Sequence, residues 1–476
     1  MYRIVPSYFE SGAFMDNRLE RKYGLFTAIC MVVGIVIGSG VFFKAQTILA
    51  KTGGDMPLGI LAWLIGGAIM LVCLLTFSFM GQKYEKVNGL VDYAEATVGK
   101  RYGYYMGWFL ATIYFPGMTS ALAWVTARYT LEFIVSVNPA FPMTIPADQG
   151  GCIIGPECMA LTLFFLCFVY AVNVLSPKLA GKLQTSTTVI KLIPLGLMAV
   201  VGLVYGLATG TLQNNMETTA QVAEVADRPL FAAVCATAFA YEGWIIATSI
   251  NAEIKDSKKN LPKALIIGGC TIVAVYLFYY IGAAGGATNQ ELIDKGATIA
   301  FTNIFGNVLG NVLKLFIAIS CLGTANGLML GCSRSMYSIA ARGEGPDPER
   351  FAQVDKSTNM PSNSAVFALM ASACWFVYFY ASNLAGIWSG PFVFDSTELP
   401  IITIYMMYFP ILIQWMRKEK DQNPLRRFVL PALALCGSGF MVVASVFSHG
   451  WGCLWYLIVF GVAMLMGALA NKKNKA

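Results

Sequence analysis

About twelve apolar runs, each near the length of a bilayer-crossing helix, fill most of this 476-residue chain. They cover residues 24–50, 57–80, 103–135, 159–175, 183–208, 230–254, 261–284, 309–342, 364–380, 399–416, 430–447 and 451–470. Lipid offers no hydrogen bonds, so each crossing run must pair its own backbone groups, and a helix does that within one segment. The expectation is an all-α polytopic membrane protein. Charged residues make up 12% of the chain, about half the share usual in soluble domains. The segments between runs are too short to fold alone. This argues against a receptor with a separate ligand domain and against a fused enzyme, and no cofactor is expected.

Two of the runs are interrupted near their middles, about 200 residues apart. Gly38-Ser39-Gly40 breaks the first, and Tyr241-Glu242-Gly243-Trp244 breaks the sixth. Runs one to five can be laid over runs six to ten so that the interrupted run leads each half. Five is odd, so the halves would have opposite orientation. The expected divisions are a cytoplasmic amino terminus (1–23), a first five-helix repeat (24–208), a second (209–416), and two extra helices with the carboxyl terminus (417–476). Interrupted spans in matching places of two halves are a pointer to a transporter's binding site.

The formal net charge of +7 raises the question of nucleic acid, and its distribution answers it. With the amino terminus inside, one set of connections holds Lys83, Lys86, Lys100, Arg101, Lys178, Lys182, Lys255, Lys258, Lys259, Lys263, Arg342, Arg350, Lys356 and Arg417-Lys418-Glu419-Lys420. The other set offers Lys51, Arg228 and Lys295. This is the positive-inside bias; it predicts both termini in the cytoplasm and calls for no nucleic acid. No cleaved signal is expected, because residues 1–22 are polar and the first run can direct insertion. The inner segment 342–363 reads as a structured loop. The outer segment 213–228 is expected to include a short surface helix.

At the first break the amides of Ser39, Gly40 and Val41 open the second half-helix and should attract a carboxylate. The carbonyls of Val36 and Ile37 close the first half and should accept from an ammonium. At Tyr241 and Glu242 the carbonyls of Phe239 and Ala240 could complete the ammonium site. One zwitterion fits both breaks, and an α-amino acid is the simplest molecule of that shape. The surrounding bilayer is the only other partner this reading requires.

The stretch Ile37-Gly38-Ser39-Gly40-Val41-Phe42 resembles the first-span signature of the amino acid, polyamine and organocation transporter superfamily. Phe239-Ala240-Tyr241-Glu242-Gly243-Trp244 resembles the sixth span of its L-amino acid transporter branch, particularly bacterial serine/threonine-type exchangers. Ser320-Cys321-Leu322-Gly323-Thr324-Ala325-Asn326-Gly327, Ser333-Arg334 and Asn260-Leu261-Pro262-Lys263-Ala264 match the branch elsewhere. The resemblance covers nearly the whole chain. It implies the LeuT-type 5+5 inverted-repeat fold, sodium-independent transport and, as a rule, one-for-one exchange; it does not identify the substrate, and the expectation is neutral L-amino acids crossing the plasma membrane. Proton-coupled uptake of cationic amino acids or polyamines, and a sensor or channel that binds without turnover, remain alternatives. Animal members pair with a glycoprotein through a cysteine in the loop after span three, where Cys152 stands. The bacterial character of the sixth span argues against such an accessory subunit here.

By the same resemblance Phe239 is the gate above the substrate. Lys191 contacts the unwound part of span one, where sodium-coupled relatives hold an ion. Its depth in span five is too great for easy snorkelling. Glu242 either caps the second half of span six, meets a substrate amine, or carries a coupling proton. Lys44 departs from the family and is expected to face an outer vestibule. Arg334 is expected in an inner ion pair, Asn326 in bonds between helices, and Asp395 and Glu398 at the interface. Cys152 and Cys158 are as readily free as paired. No CxxC spacing exists and His449 is the only histidine, so no metal is expected.

Overall fold

The computed structural model describes residues 21, 23–38, 40–84, 89–220 and 228–472. Ser39, Lys86, residues 221–227 and nearly all of the amino-terminal segment lie outside the described residues. Among those described, eleven helices are long and apolar enough to cross a membrane, and twelve with a bent pair counted as one. That pair, Leu25–Val36 and Gly40–Lys51, is span 1 and bends by 48°. Spans 2 to 6 are Met56–Lys83, Lys100–Val137, Gly151–Leu175, Pro177–Thr209 and Pro229–Ile246. Spans 7 to 12 are Ser257–Gly286, Ala297–Ala340, Ser362–Leu384, Glu398–Lys418, Leu425–His449 and Trp451–Asn471.

Local chemistry sets many of these ends. Span 2 starts where the Asp55 carboxylate accepts from the Leu58 amide at 2.8 Å, with a proline in the first turn. The short helix Asn289–Lys295 before span 8 opens on a capping box between Thr288 and Glu291. Span 8 reaches back to Ala297, twelve residues before the apolar run at 309, because Gly306 takes φ +81° and lets the helix bend. Asn303 then donates to the Gly286 carbonyl at 3.0 Å and ties the added arm to span 7. Span 4 likewise starts earlier than expected, with a separate turn at Gly151–Ile154. The short surface helix expected in 213–228 lies at Thr211–Glu217. The loop over 342–363 holds the helix Pro348–Phe351.

Spans differ in how much they meet lipid. The apolar window of span 3 is 94% buried and that of span 6 is 78% buried, against 11% for span 12. Span 12 turns Leu454, Leu465 and Leu469 outward, as an apolar solvent permits. Span 6 and residues 31–38 of span 1, which are all buried, are enclosed by the bundle, where irregular backbone can be paired. The bundle has two faces. One carries Lys51 and His449; the other, here called the basic-rich face, carries Lys83, Lys255 and Arg342.

Candidate functional site

The first break begins where the Ile37 amide donates to Val33 and the Gly38 amide turns back onto Val36, both at 2.8 Å. Ile37 leaves helical geometry with ψ 87°, and the helix resumes at Gly40. The second break follows Tyr241: Glu242 is extended (φ −79°, ψ 162°), Gly243 takes φ +106°, and a tighter 3-10 helix runs over Trp244–Glu253. A side chain at Gly243 would be strained. The two breaks touch: a Cβ added to Gly40 would lie 2.7 Å from Ala240 Cα, so only glycine permits this approach.

Two side chains tie the freed backbone together. The Tyr276 hydroxyl of span 7 lies 3.0 Å from the Val36 carbonyl and 2.9 Å from that of Ala240, one on each break. The Lys191 ammonium of span 5 is fully buried; it donates to the carbonyls of Ile37 at 2.5 Å, Gly34 at 2.8 Å and Ser320 at 3.1 Å. The Thr324 hydroxyl lies 3.4 Å from it. Lys191 thus joins span 5 to the broken part of span 1 and to span 8.

A cavity lies against both breaks. Of the residues expected to bind substrate, Val36, Gly38, Gly40, Phe239 and Glu242 line it. Ile37, Val41, Ala240 and Tyr241 do not; they are buried behind it. The Ile37 carbonyl is turned to Lys191, and the Tyr241 hydroxyl donates to the Trp63 carbonyl at 3.0 Å. Ser39 lies outside the described residues. One Glu242 carboxylate oxygen accepts from the Tyr114 hydroxyl. The other is buried and accepts no well-formed hydrogen bond among the described residues. An unsatisfied buried carboxylate oxygen at a cavity wall is costly and marks a place for a donor.

Sequence reasoning missed Tyr276 and the remaining walls. Span 3 supplies Tyr114, Met118 and Leu122; span 8 supplies Thr324 and Leu328; span 6 adds Gly243 and Ile246. Tyr114 ends a π-helical turn at Leu110–Tyr114, a widening common at functional sites.

Polar locks close both sides. Toward the Lys51 face, Lys44 pairs with Glu398 and stands 5.3 Å from the Phe239 ring centroid. Lys44 and Glu398 are 8% and 4% exposed, which corrects the expectation of a vestibule lysine and an interfacial glutamate. Each charge helps to offset the cost of taking the other out of water. Asp395 instead caps the start of span 10, accepting from the amides of Thr397 and Glu398 at 2.7 Å. Toward the basic-rich face, Arg334 makes the ion pair expected of it, with Glu253, both fully enclosed. The Tyr23 amide donates to the Glu253 carbonyl at 3.0 Å and closes the chain over this pair. Asn326 bonds Ala180 and Gln184 and accepts from Asn173, linking spans 8, 5 and 4. Cys152 and Cys158 are both buried and free.

Comparison with known proteins agrees with this architecture. The chain is 29% identical to the serine/threonine exchanger SteT of Bacillus subtilis, over 97% of this chain and 99% of that protein. It is 24% identical to the human large neutral amino acids transporter small subunit 2, over 91% of this chain and 77% of that one. The crystal structure of MhsT in complex with L-phenylalanine superposes with a TM-score of 0.58 at 12% identity, covering 95% of this chain and 99% of that one. Mhp1, a nucleobase-cation-symport-1 family transporter, superposes with a TM-score of 0.57 at 13% identity, over 97% and 99%. The fold is thus the LeuT-type transporter fold, not that of an enzyme. The sequence profile described as amino acid permease matches residues 23–465, and the chain belongs to that family of membrane transporters.

Proposed function

We propose that this chain exchanges neutral L-amino acids across the plasma membrane by alternating access and without sodium, holding their shared charged head between two broken helices. The observation that carries the reading is the contact of Gly40 with Ala240, together with the single Tyr276 hydroxyl shared by the Val36 and Ala240 carbonyls. One hydroxyl proton satisfies one carbonyl at a time, so a substrate ammonium completes the pair. The amides opening the half-helix at Gly40 suit the carboxylate. Phe239 lines the cavity beneath Lys44 and acts as the gate.

Sodium independence is supported by Lys191. Its ammonium takes up the oxygens of Gly34, Ile37, Ser320 and Thr324 that a monovalent cation would need. Substrate preference is supported by Glu242: its second oxygen accepts a donor from a small hydroxylated side chain, in keeping with the named activity of the Bacillus relative. The basic-rich face is the cytoplasmic one and both termini lie there. Cys152 is buried, so a disulfide to an accessory subunit would require the loop to open, and the chain works without one.

The test is counterflow in liposomes. Radiolabelled L-serine enters only vesicles preloaded with amino acid, and replacing sodium by choline changes nothing. Accumulation in empty vesicles driven by a pH gradient alone would instead favour proton-coupled uptake through Glu242. Binding without any exchange would favour a sensor.

A further inference from the structure

The expectation that no metal site exists rested on the lack of ligand spacing along the chain, but three spans bring a ligand set together. Cys235 of span 6, Glu398 of span 10 and His449 of span 11 place one ligand atom each within 4.8 Å of one another. Cys235 is fully buried, the Glu398 side chain is 5% exposed and that of His449 is 16% exposed. The cluster thus brings mixed donors together, with His449 on its partly exposed side. We propose that Cys235, Glu398 and His449 bind a borderline-soft divalent cation such as Zn2+ or Cd2+, and that the bound ion pins the Phe239 half of span 6 to spans 10 and 11.

The donor set selects the ion. Sulfur and imidazole nitrogen disfavour magnesium and calcium, which want oxygen, and suit zinc and cadmium. Zinc bonds of about 2.0–2.3 Å put ligand atoms about 3–4 Å apart, so side-chain rotation must draw the set in by about 1 Å. Glu398 has a separate oxygen for each task. One pairs with Lys44 and the other lies 3.1 Å from His449 Nε2. An ion taking the second oxygen leaves the ion pair intact. On binding, the Cys235 thiol and a protonated His449 imidazole release their protons to solvent, and the thiolate offsets part of the dication while Glu398 shares its charge with Lys44. A water on the His449 side completes the tetrahedron. Lys44 repels the ion, so affinity falls below that of a closed four-ligand structural site.

The position gives the ion a consequence. Cys235 precedes Phe239 by one helical turn and faces the same way. Tying it to two other spans holds Phe239 closed over the cavity. The effect needs no contact between ion and substrate.

The purified full-length chain titrated with Cd2+ alone tests the site, read by the ultraviolet cadmium–thiolate charge-transfer band. A saturable band is expected that disappears in Cys235→Ser and in Cys235→Ala. His449→Ala should weaken binding by at least about tenfold, the loss usual for second-shell partners alone. Exposed Cys167, Cys270, Cys374 and Cys436 contribute equally to parent and variants and are subtracted. A band of unchanged amplitude in both Cys235 variants, or unchanged affinity in His449→Ala, overturns the site. A second arm adds Zn2+ from the Lys51 face to amino-acid-exchanging vesicles, each variant referred to its own metal-free rate. Inhibition lost with Cys235 or His449 supports the pinning; ion binding without inhibition overturns it. The spectroscopic arm decides the site even if the exchange reading fails.

Discussion

Lys191→Ala should weaken amino acid binding far more than it weakens the fold. The ammonium makes two short bonds, to Ile37 at 2.5 Å and Gly34 at 2.8 Å, on the two ends of the last turn before the break. A hydrogen bond from a charged donor contributes about 1.5–3 kcal/mol, so the two together supply about 3–6 kcal/mol. Burying the ammonium costs several kcal/mol, which its removal returns to overall stability. Part of the local loss is also recovered, because Thr324 lies 3.2 Å from the Gly34 carbonyl and Ser320 lies 3.3 Å from that of Ile37. What remains is about 2–3 kcal/mol against the arrangement of the break, or roughly 30–150-fold in affinity. Lys191→Met keeps the length and removes the charge, so it should behave alike if charge is the cause. Scintillation proximity binding of L-serine to purified protein, with thermal unfolding as the control for folding, measures both. Either variant folding normally and binding within about threefold of the parent would refute the reasoning.

Glu242→Gln should weaken L-serine and L-threonine relative to L-valine by roughly 5–30-fold, about 1–2 kcal/mol for a carboxylate acceptor turned amide; competition against one label reads it. An equal loss for all three would place Glu242 in the fold rather than in selection. Gly40→Ala should cost about 1–3 kcal/mol of overpacking and abolish binding, since its Cβ would meet Ala240 Cα at 2.7 Å; a variant that still binds tightly would show the breaks can part. Arg334→Ala should destabilise by about 3–5 kcal/mol, leaving Glu253 buried and unpaired, while Arg334→Met with Glu253→Leu should recover most of the loss in thermal unfolding. A single variant as stable as the parent would show that water reaches the pair.

Much of the fold was legible because lipid is an exacting solvent. Runs of about 20 apolar residues leave few choices of form, and a break within one must be paired by protein or ligand. Gly38 and Gly40 could be singled out on that ground, and Lys191 on its depth. Tyr276 could not. Its span is an unbroken apolar run, and nothing in the order of residues says that one hydroxyl reaches two carbonyls 36 and 240 positions away. Tyr114 was hidden among the aromatics of span 3, and the π-helical turn that presents it leaves no compositional mark. Lys44 was misjudged because its partner lies 354 residues on. Taken alone, a lysine at a half-helix start belongs in water; paired, it can be buried. The metal-ligand cluster escaped for the same reason, since its three members share no segment.

The claim that two breaks jointly grip a zwitterion is tested most directly by removing one end of the ligand at a time. L-serine, ethanolamine, which lacks the carboxylate, and 3-hydroxypropionate, which lacks the amine, are compared as competitors for one bound amino acid. Each deletion leaves at least one buried carbonyl or amide unpaired at about 1–3 kcal/mol per group, so both analogues should compete at least about fivefold more weakly than L-serine. Competition by either analogue at the strength of L-serine would contradict the shared grip.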